Sequence, residues 1–236
     1  MNRVATSRLF ERLRGGLVVS CQALPGEPMH GCMPAMARAA VEGGACGVLA
    51  NGANDIARIR AAVDAPLIGV LTQVYPDCEI ALTPTLVEID QVAQAGADMA
   101  GLDASERRRP GGQRLADFYA AIRKRHPGLR LMAEVATTVE ALRAQALGFD
   151  CVSSAALGHT EATRGQRLPE DDFAAFRRMR RAVDGCLLVA EGGIDTPQQA
   201  ARALQLGADF VVIGSAITRP QRITARFVGE MKAIAG

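Results

Sequence analysis

The chain has 236 residues, about half of them hydrophobic, with 27 basic residues against 25 acidic. That length suits one large α/β domain, and the near-balanced charge supplies no field for nucleic acid. No apolar run approaches the roughly 20 residues of a membrane helix, so no membrane partner is expected.

The opening MNRVATSRLFERLRGG lacks the apolar core and cleavage site of a signal peptide. It reads as a leading helix over 1–16, and a cytoplasmic location is expected. Eight apolar runs follow as strands, near 17–21, 47–50, 66–71, 99–103, 129–135, 151–154, 186–192 and 209–214. Four share a preface: a helix ends at a small residue and glycine, a short pair follows, and the apolar run begins. The copies are GGACGVLA, AGADMAGLD, LGFDCVSS and LGADFVVIG. Glycine suits a left-handed helix C-cap, and an unbroken apolar run suits a strand buried on both faces.

Helical periodicity fills the gaps, at roughly 33–43, 54–63, 85–95, 113–125, 138–147, 171–183, 197–206 and 221–234. Thr137 or Thr138 before Glu140, and Thr196 before Pro197, are cap signals. Buried strands alternating with helices imply a parallel sheet, and eight such units imply closure into a (β/α)8 TIM barrel, an α/β fold forming a single domain over 1–236. An open doubly wound sheet is the alternative. The polar stretch 158–171 is the longest connection and reads as a loop or lid. The run Glu106–Arg109 reads as a solvated or phosphate-contacting loop rather than a nucleic-acid patch. Six scattered cysteines with no CxxC spacing point to neither a metal site nor a disulfide framework.

In such barrels the site is built at the carboxyl ends of the strands. The candidates there are Ser20, Cys21 and Gln22; Asn51; Thr72 and Gln73, with Tyr75 and Asp77 beyond; Asp103; Glu134; Ser153 and Ser154, with His159 in the loop; Glu191, Gly192 and Gly193; and Gly214 with Ser215. EGGIDTP after strand seven and IGSAITRP after strand eight suit phosphate, because glycines let backbone N–H groups approach its oxygens. Gly192, Gly193, Gly214, Ser215 and Arg219 are the phosphate-binding candidates, and a phosphorylated small molecule is the expected partner. Glu191 ends an apolar strand, where partial desolvation would raise its pKa and suit it to proton transfer. Gln22, Asn51, Asp103 and Glu134 are candidates for holding the rest of the ligand.

The segments VSCQALPGEPMH, ANG, YPDCEIALTPT, AGADMAGLDAS, AEGGIDTP and IGSAITRPQRIT together resemble the N-acetylmannosamine-6-phosphate 2-epimerase family, from about residue 15 to 227. The resemblance implies a (β/α)8 barrel that inverts carbon 2 of an N-acetylhexosamine 6-phosphate, as in sialic acid catabolism, with a lysine and a glutamate as proton-transfer groups and no metal or organic cofactor. The glutamate corresponds to Glu191. The lysine position is Thr72, and the arginine beside it is Gln73. Further departures are Leu49 and Gly193 in place of arginines, Glu134 in place of an aspartate and His159 in place of a tyrosine. The chain has only two lysines, Lys124 and Lys232, both in predicted helices. His159, Tyr75 or a water held by Thr72 and Asp103 are the open alternatives for the second acid/base. The expectation is therefore a sugar-phosphate isomerase with altered catalytic groups; the alternatives are an isomerase or lyase acting on another sugar phosphate, or a binding protein without turnover. A homodimer is an open possibility.

Overall fold

The computed structural model describes residues 8–234 except Asp77. Of the expected leading helix, 1–7 lie outside the described residues, and Arg8–Leu13 forms α1. Eight parallel strands follow: β1 (Leu17–Cys21), β2 (Gly47–Asn51), β3 (Leu67–Val70), β4 (Met99–Asp103), β5 (Arg130–Glu134), β6 (Cys151–Ser153), β7 (Leu187–Glu191) and β8 (Phe210–Ile213). They close into a barrel in chain order, with β8 pairing β1. The helices between them are α2 (Met33–Glu42), α3 (Ala53–Ala62), α4 (Leu86–Gln94), α5 (Leu115–Arg125), α6 (Thr138–Leu147), α7 (Glu170–Ala182) and α8 (Pro197–Gln205), and the short α9 (Ser215–Thr218) and longer α10 (Pro220–Ile234) come last. The TIM-barrel reading is correct and the open sheet is excluded. No helix among the described residues is long and apolar enough to cross a membrane, and all six cysteines are free.

The glycine prefaces work as their sequence suggests. Gly44, Gly96, Gly148 and Gly207 all have φ between 94° and 96°, the left-handed conformation that turns a helix end back toward the sheet. Threonines open three helices with reciprocal capping boxes: Thr85 with Glu88, Thr137 with Glu140, and Thr196 with Gln199.

Period-two alternation sorts each strand into two faces. One set of side chains, including Val48, Leu67, Ala100, Leu102, Leu131, Val152, Leu188 and Val211, packs outward under the helices. The other set fills the interior: Val18, Leu49, Ile68, Val70, Met99, Met132, Cys151, Leu187, Val189, Phe210 and Val212. Phe10 and Leu13 of α1 join this interior cluster, fully buried. Each buried side chain of this size contributes about 1.5–3 kcal/mol. α1 is thereby anchored to the barrel by burial.

One step further along each strand, the inward set meets the mouth. Two residues beyond Val18, Leu49, Val70, Gly101, Met132, Cys151, Val189 and Val212 stand Ser20, Asn51, Thr72, Asp103, Glu134, Ser153, Glu191 and Gly214. The apolar interior therefore ends in a polar ring, which holds Asn51, Thr72, Asp103, Glu134, Glu191 and Gly214 of the site candidates; Gln22, His159, Gly192, Gly193, Ser215 and Arg219 lie on the segments that follow the strands.

Candidate active site

Glu191 closes β7 with its carboxyl in this ring. The Ser153 hydroxyl donates to Glu191 Oε2 at 2.7 Å. Its backbone is held as well: the Ser154 hydroxyl donates to the Glu191 carbonyl at 2.8 Å and accepts from its N–H at 3.0 Å. Burial raises the Glu191 carboxyl to about 7, with the Ser153 hydrogen bond pulling down. A carboxyl poised near neutrality can both take and return a proton.

Glu134 stands on β5, one strand beyond Ser153. Burial first, then the charges of Glu191 and Asp103, hold its carboxyl well above the ordinary carboxylate range, with Arg107 pulling the other way. Asp103 is opposite Glu134 in the register and differs in surroundings. Its carboxylate accepts from the Ser105 N–H at 2.8 Å and the Ser105 hydroxyl at 2.6 Å, and pairs with Arg107.

The Glu106–Arg109 run is solvated only in part: Glu106 and Arg108 are exposed, as expected, while Arg107 and Arg109 turn inward. Arg107 turns in to Asp103 and also reaches Ser105 Oγ at 3.1 Å. Arg109 is 3 % exposed, donates to the carbonyls of Asp103 and Pro84, and lies 4.4 Å over the Phe118 ring. Burial lowers its pKa to about 10. An acidic strand end draws these guanidiniums inward, and the Asp103–Arg107 spacing was the available signal.

Across the mouth, Asn51 and Thr72 satisfy each other. The Asn51 amide donates to Thr72 Oγ1 at 3.0 Å, and the Thr72 N–H donates to Asn51 Oδ1 at 2.9 Å. Gln22 donates to Ser20 Oγ at 2.9 Å. Tyr75 is directed elsewhere: its hydroxyl donates to Glu88 Oε1 at 2.8 Å, which ties it to the cap of α4. Asp77 lies outside the described residues. His159 is exposed on the loop after β6. That loop is folded on itself, with the Gly158 N–H on Thr163 Oγ1 at 3.0 Å, and Arg167 crosses from it to Asp195 at 2.7 Å.

A cavity of about 570 Å³ opens beside Glu191, lined among others by Ser20, His159, Gly192, Gly193, Gly214, Ser215 and Arg222. Gly192 and Gly193 have φ of 109° and 66°, so a side chain there would be strained. Gly214 passes so close to β1 that an added Cβ would stand 3.3 Å from Ser20 Cβ. The N–H groups of Gly192, Gly193 and Gly214 donate to nothing among the described residues. The two arginines near this cavity are placed differently. Arg219 faces Glu27, Nη2 to Oε1 at 3.4 Å, and is absent from the cavity wall, while Arg222, one turn along α10, lines it.

Fold and site together define a class: a (β/α)8 barrel with a carboxyl of raised pKa at its mouth and an adjoining glycine-walled cavity of small-molecule size. Residues 33–233 match the family described as "Putative N-acetylmannosamine-6-phosphate epimerase". A relative from Enterobacter sp. (strain 638) is 49% identical over 227 residues, covering 95% of this chain and 96% of its own; one from Borrelia garinii subsp. bavariensis is 41% identical over 228 residues, covering 96% and 98%. Both carry the name "Putative N-acetylmannosamine-6-phosphate 2-epimerase". The solved structure of the N-acetylmannosamine-6-phosphate 2-epimerase from Clostridium perfringens superposes with a TM-score of 0.89 at 39% identity, covering 95% of this chain and 96% of that one. Thiamine phosphate pyrophosphorylase from Pyrococcus furiosus, at 19% identity and a TM-score of 0.60, shares the fold alone. The chain belongs to the N-acetylmannosamine-6-phosphate epimerase family.

Proposed function

We propose that this protein is a sugar-phosphate isomerase that interconverts N-acetylmannosamine 6-phosphate and N-acetylglucosamine 6-phosphate by proton transfer at carbon 2. The observation that carries this reading is the Glu191 carboxyl, raised to about 7 and oriented by Ser153, at the edge of a cavity whose wall is Gly192, Gly193, Gly214 and Ser215. The phosphate sits against those amides, the Ser215 hydroxyl and Arg222. The open-chain sugar then extends over the ring, its hydroxyls within reach of Gln22, Asn51, Thr72 and Asp103. Glu191 exchanges the proton on carbon 2, whose acidity comes from the aldehyde beside it. His159 stands at the cavity rim and contacts the sugar. Thr72, bonded to Asn51, holds a hydroxyl or a water and moves no proton, since an alcohol without an adjacent base is a poor acceptor.

A homodimer belongs to the same proposal. Among the described residues α10 buries none of its side chains, and it exposes Phe227, Val228, Met231 and Ile234. A helix of this length is marginal in water by itself, and a second copy supplies the cover. The barrel works as one domain in the cytoplasm.

The test of the reaction is solvent deuterium exchange into N-acetylmannosamine 6-phosphate followed by NMR. Label at carbon 2 with accumulation of the gluco epimer is the expected result. Label without epimer would replace the reading with a one-base enolising site that does not invert carbon 2, and no label at enzyme concentrations near those of substrate would remove it.

A further inference from the structure

Inverting a carbon through a planar intermediate requires a proton-transfer group on each of its faces. Glu191 provides one. No lysine provides the other: Lys124 on α5 and Lys232 on α10 are exposed on helices outside the barrel. Asn51 and Thr72 are neutral and bonded to each other. Tyr75 is bonded to Glu88. Asp103 is filled by Ser105 and Arg107.

Glu134 differs from all of these. Its carboxyl accepts no hydrogen bond among the described residues, although it stands in the same ring. Space has been left for it. A Cβ on Gly101, its neighbour on β4, would stand 3.4 Å from Glu134 Oε1 and 2.8 Å from Val70 Cγ1. Its place relative to Glu191 is also set by the barrel. β5 and β7 flank β6, in which Ser153 is opposite Glu134 in the register and donates to Glu191. The two carboxyls therefore stand on either side of Ser153.

We propose that Glu134 is the second proton-transfer group, so that a carbon held above Ser153 has Glu191 on one face and Glu134 on the other. The inference rests on the reaction proposed above. The carboxylate of one residue takes the proton from carbon 2. The electron pair of that C–H bond forms the C1–C2 double bond, and the carbonyl π pair moves onto O1. The neutral carboxyl of the other residue then protonates carbon 2 from the opposite face, and the carbonyl re-forms. One proton has moved between the two carboxyls through the substrate, and the pair's charge is unchanged. Two carboxyls that interact this way titrate as a pair, and a pair holding one proton between them is the state this cycle needs.

The experiment is deuterium exchange at carbon 2, run from each epimer separately, with the parent protein, Glu134→Gln, Glu191→Gln and Glu134→Asp. Both glutamine variants should lose epimerisation by about 100-fold or more. Each should still label one epimer, and not the same one, because the remaining carboxylate exchanges its own face with solvent. That retained exchange also reports an intact fold. Glu134→Asp should recover labelling of both epimers, more slowly than the parent. Epimerisation by Glu134→Gln within about tenfold of the parent overturns the assignment. So does equal loss of exchange from both epimers in a chain that circular dichroism shows to be folded, and so does a folded aspartate variant that labels only one. A parent protein that labels neither epimer removes the proposed reaction, and this inference with it.

Discussion

At the scale of single residues, the mouth of the barrel separates carboxyls by what surrounds them. Asp103 is neutralised by an arginine and two donors from Ser105, and is suited to fixed contacts. Glu191 has one hydroxyl donor and a pKa of about 7. Its folded pKa lies above the unfolded value, so the folded chain binds the extra proton. The stability that follows is fully present below about pH 4.3 and is lost as pH rises toward 7. Glu191→Gln removes that loss. Its urea midpoint, relative to the parent, should be higher at about pH 8 than at about pH 4, a difference that urea titrations at the two pH values would read. An unchanged difference would mean that the carboxyl is not raised. Glu191 was legible in the sequence because strand alternation points it inward. Ser153 was legible as a strand-end candidate for the same reason, although its bond to Glu191 was not; Arg107 and Arg222 were not singled out, because a loop and a helix start set what each of them faces. Tyr75 shows the reverse case: it lies near the mouth in sequence but is held by Glu88.

At the scale of elements, one capping residue carries more than its helix. Glu140 closes the Thr137 box on α6, accepting from the N–H groups of Ala136 at 2.8 Å and Thr137 at 2.9 Å. Its other oxygen accepts from the Glu106 N–H at 2.8 Å. The loop after β4 that brings Arg107 to Asp103 is therefore pinned by the start of α6. Glu140→Ala should cost about 2–3 kcal/mol, since it leaves buried donors without partners. It should also lower turnover by freeing Arg107. Urea unfolding together with a turnover assay checks both parts, and a variant that loses stability with full activity would show that the pinning does not matter for the site. The sequence marks Thr137, Glu140 and helix α6 plainly. It does not mark the bond to Glu106, which spans 34 positions.

At the scale of the molecule, the helix reading accounts for all but one of the outer helices as parts of a closed layer. The exception is α10, whose apolar face meets no part of its own barrel well enough to bury a side chain. If a second copy covers it, light scattering should give a dimer, and Phe227→Glu with Met231→Glu should give a monomer with its barrel intact. A monomeric parent protein would dismiss that arrangement.

What the sequence by itself determined is the architecture and the ring. Apolar runs of strand length, glycines at helix ends and threonine caps each act within a few residues, and eight repeats of that local grammar leave the chain one closed solution. Alternation then decides which strand-end residues face inward. What only the tertiary structure decided is how the ring members are paired: Glu191 with Ser153, Asp103 with Arg107, Asn51 with Thr72 and, among the described residues, Glu134 with none. These choices depend on distances of a few ångströms between residues far apart in the chain. Burial and neighbouring charge, which set proton affinity, exist only once the strands have closed around them.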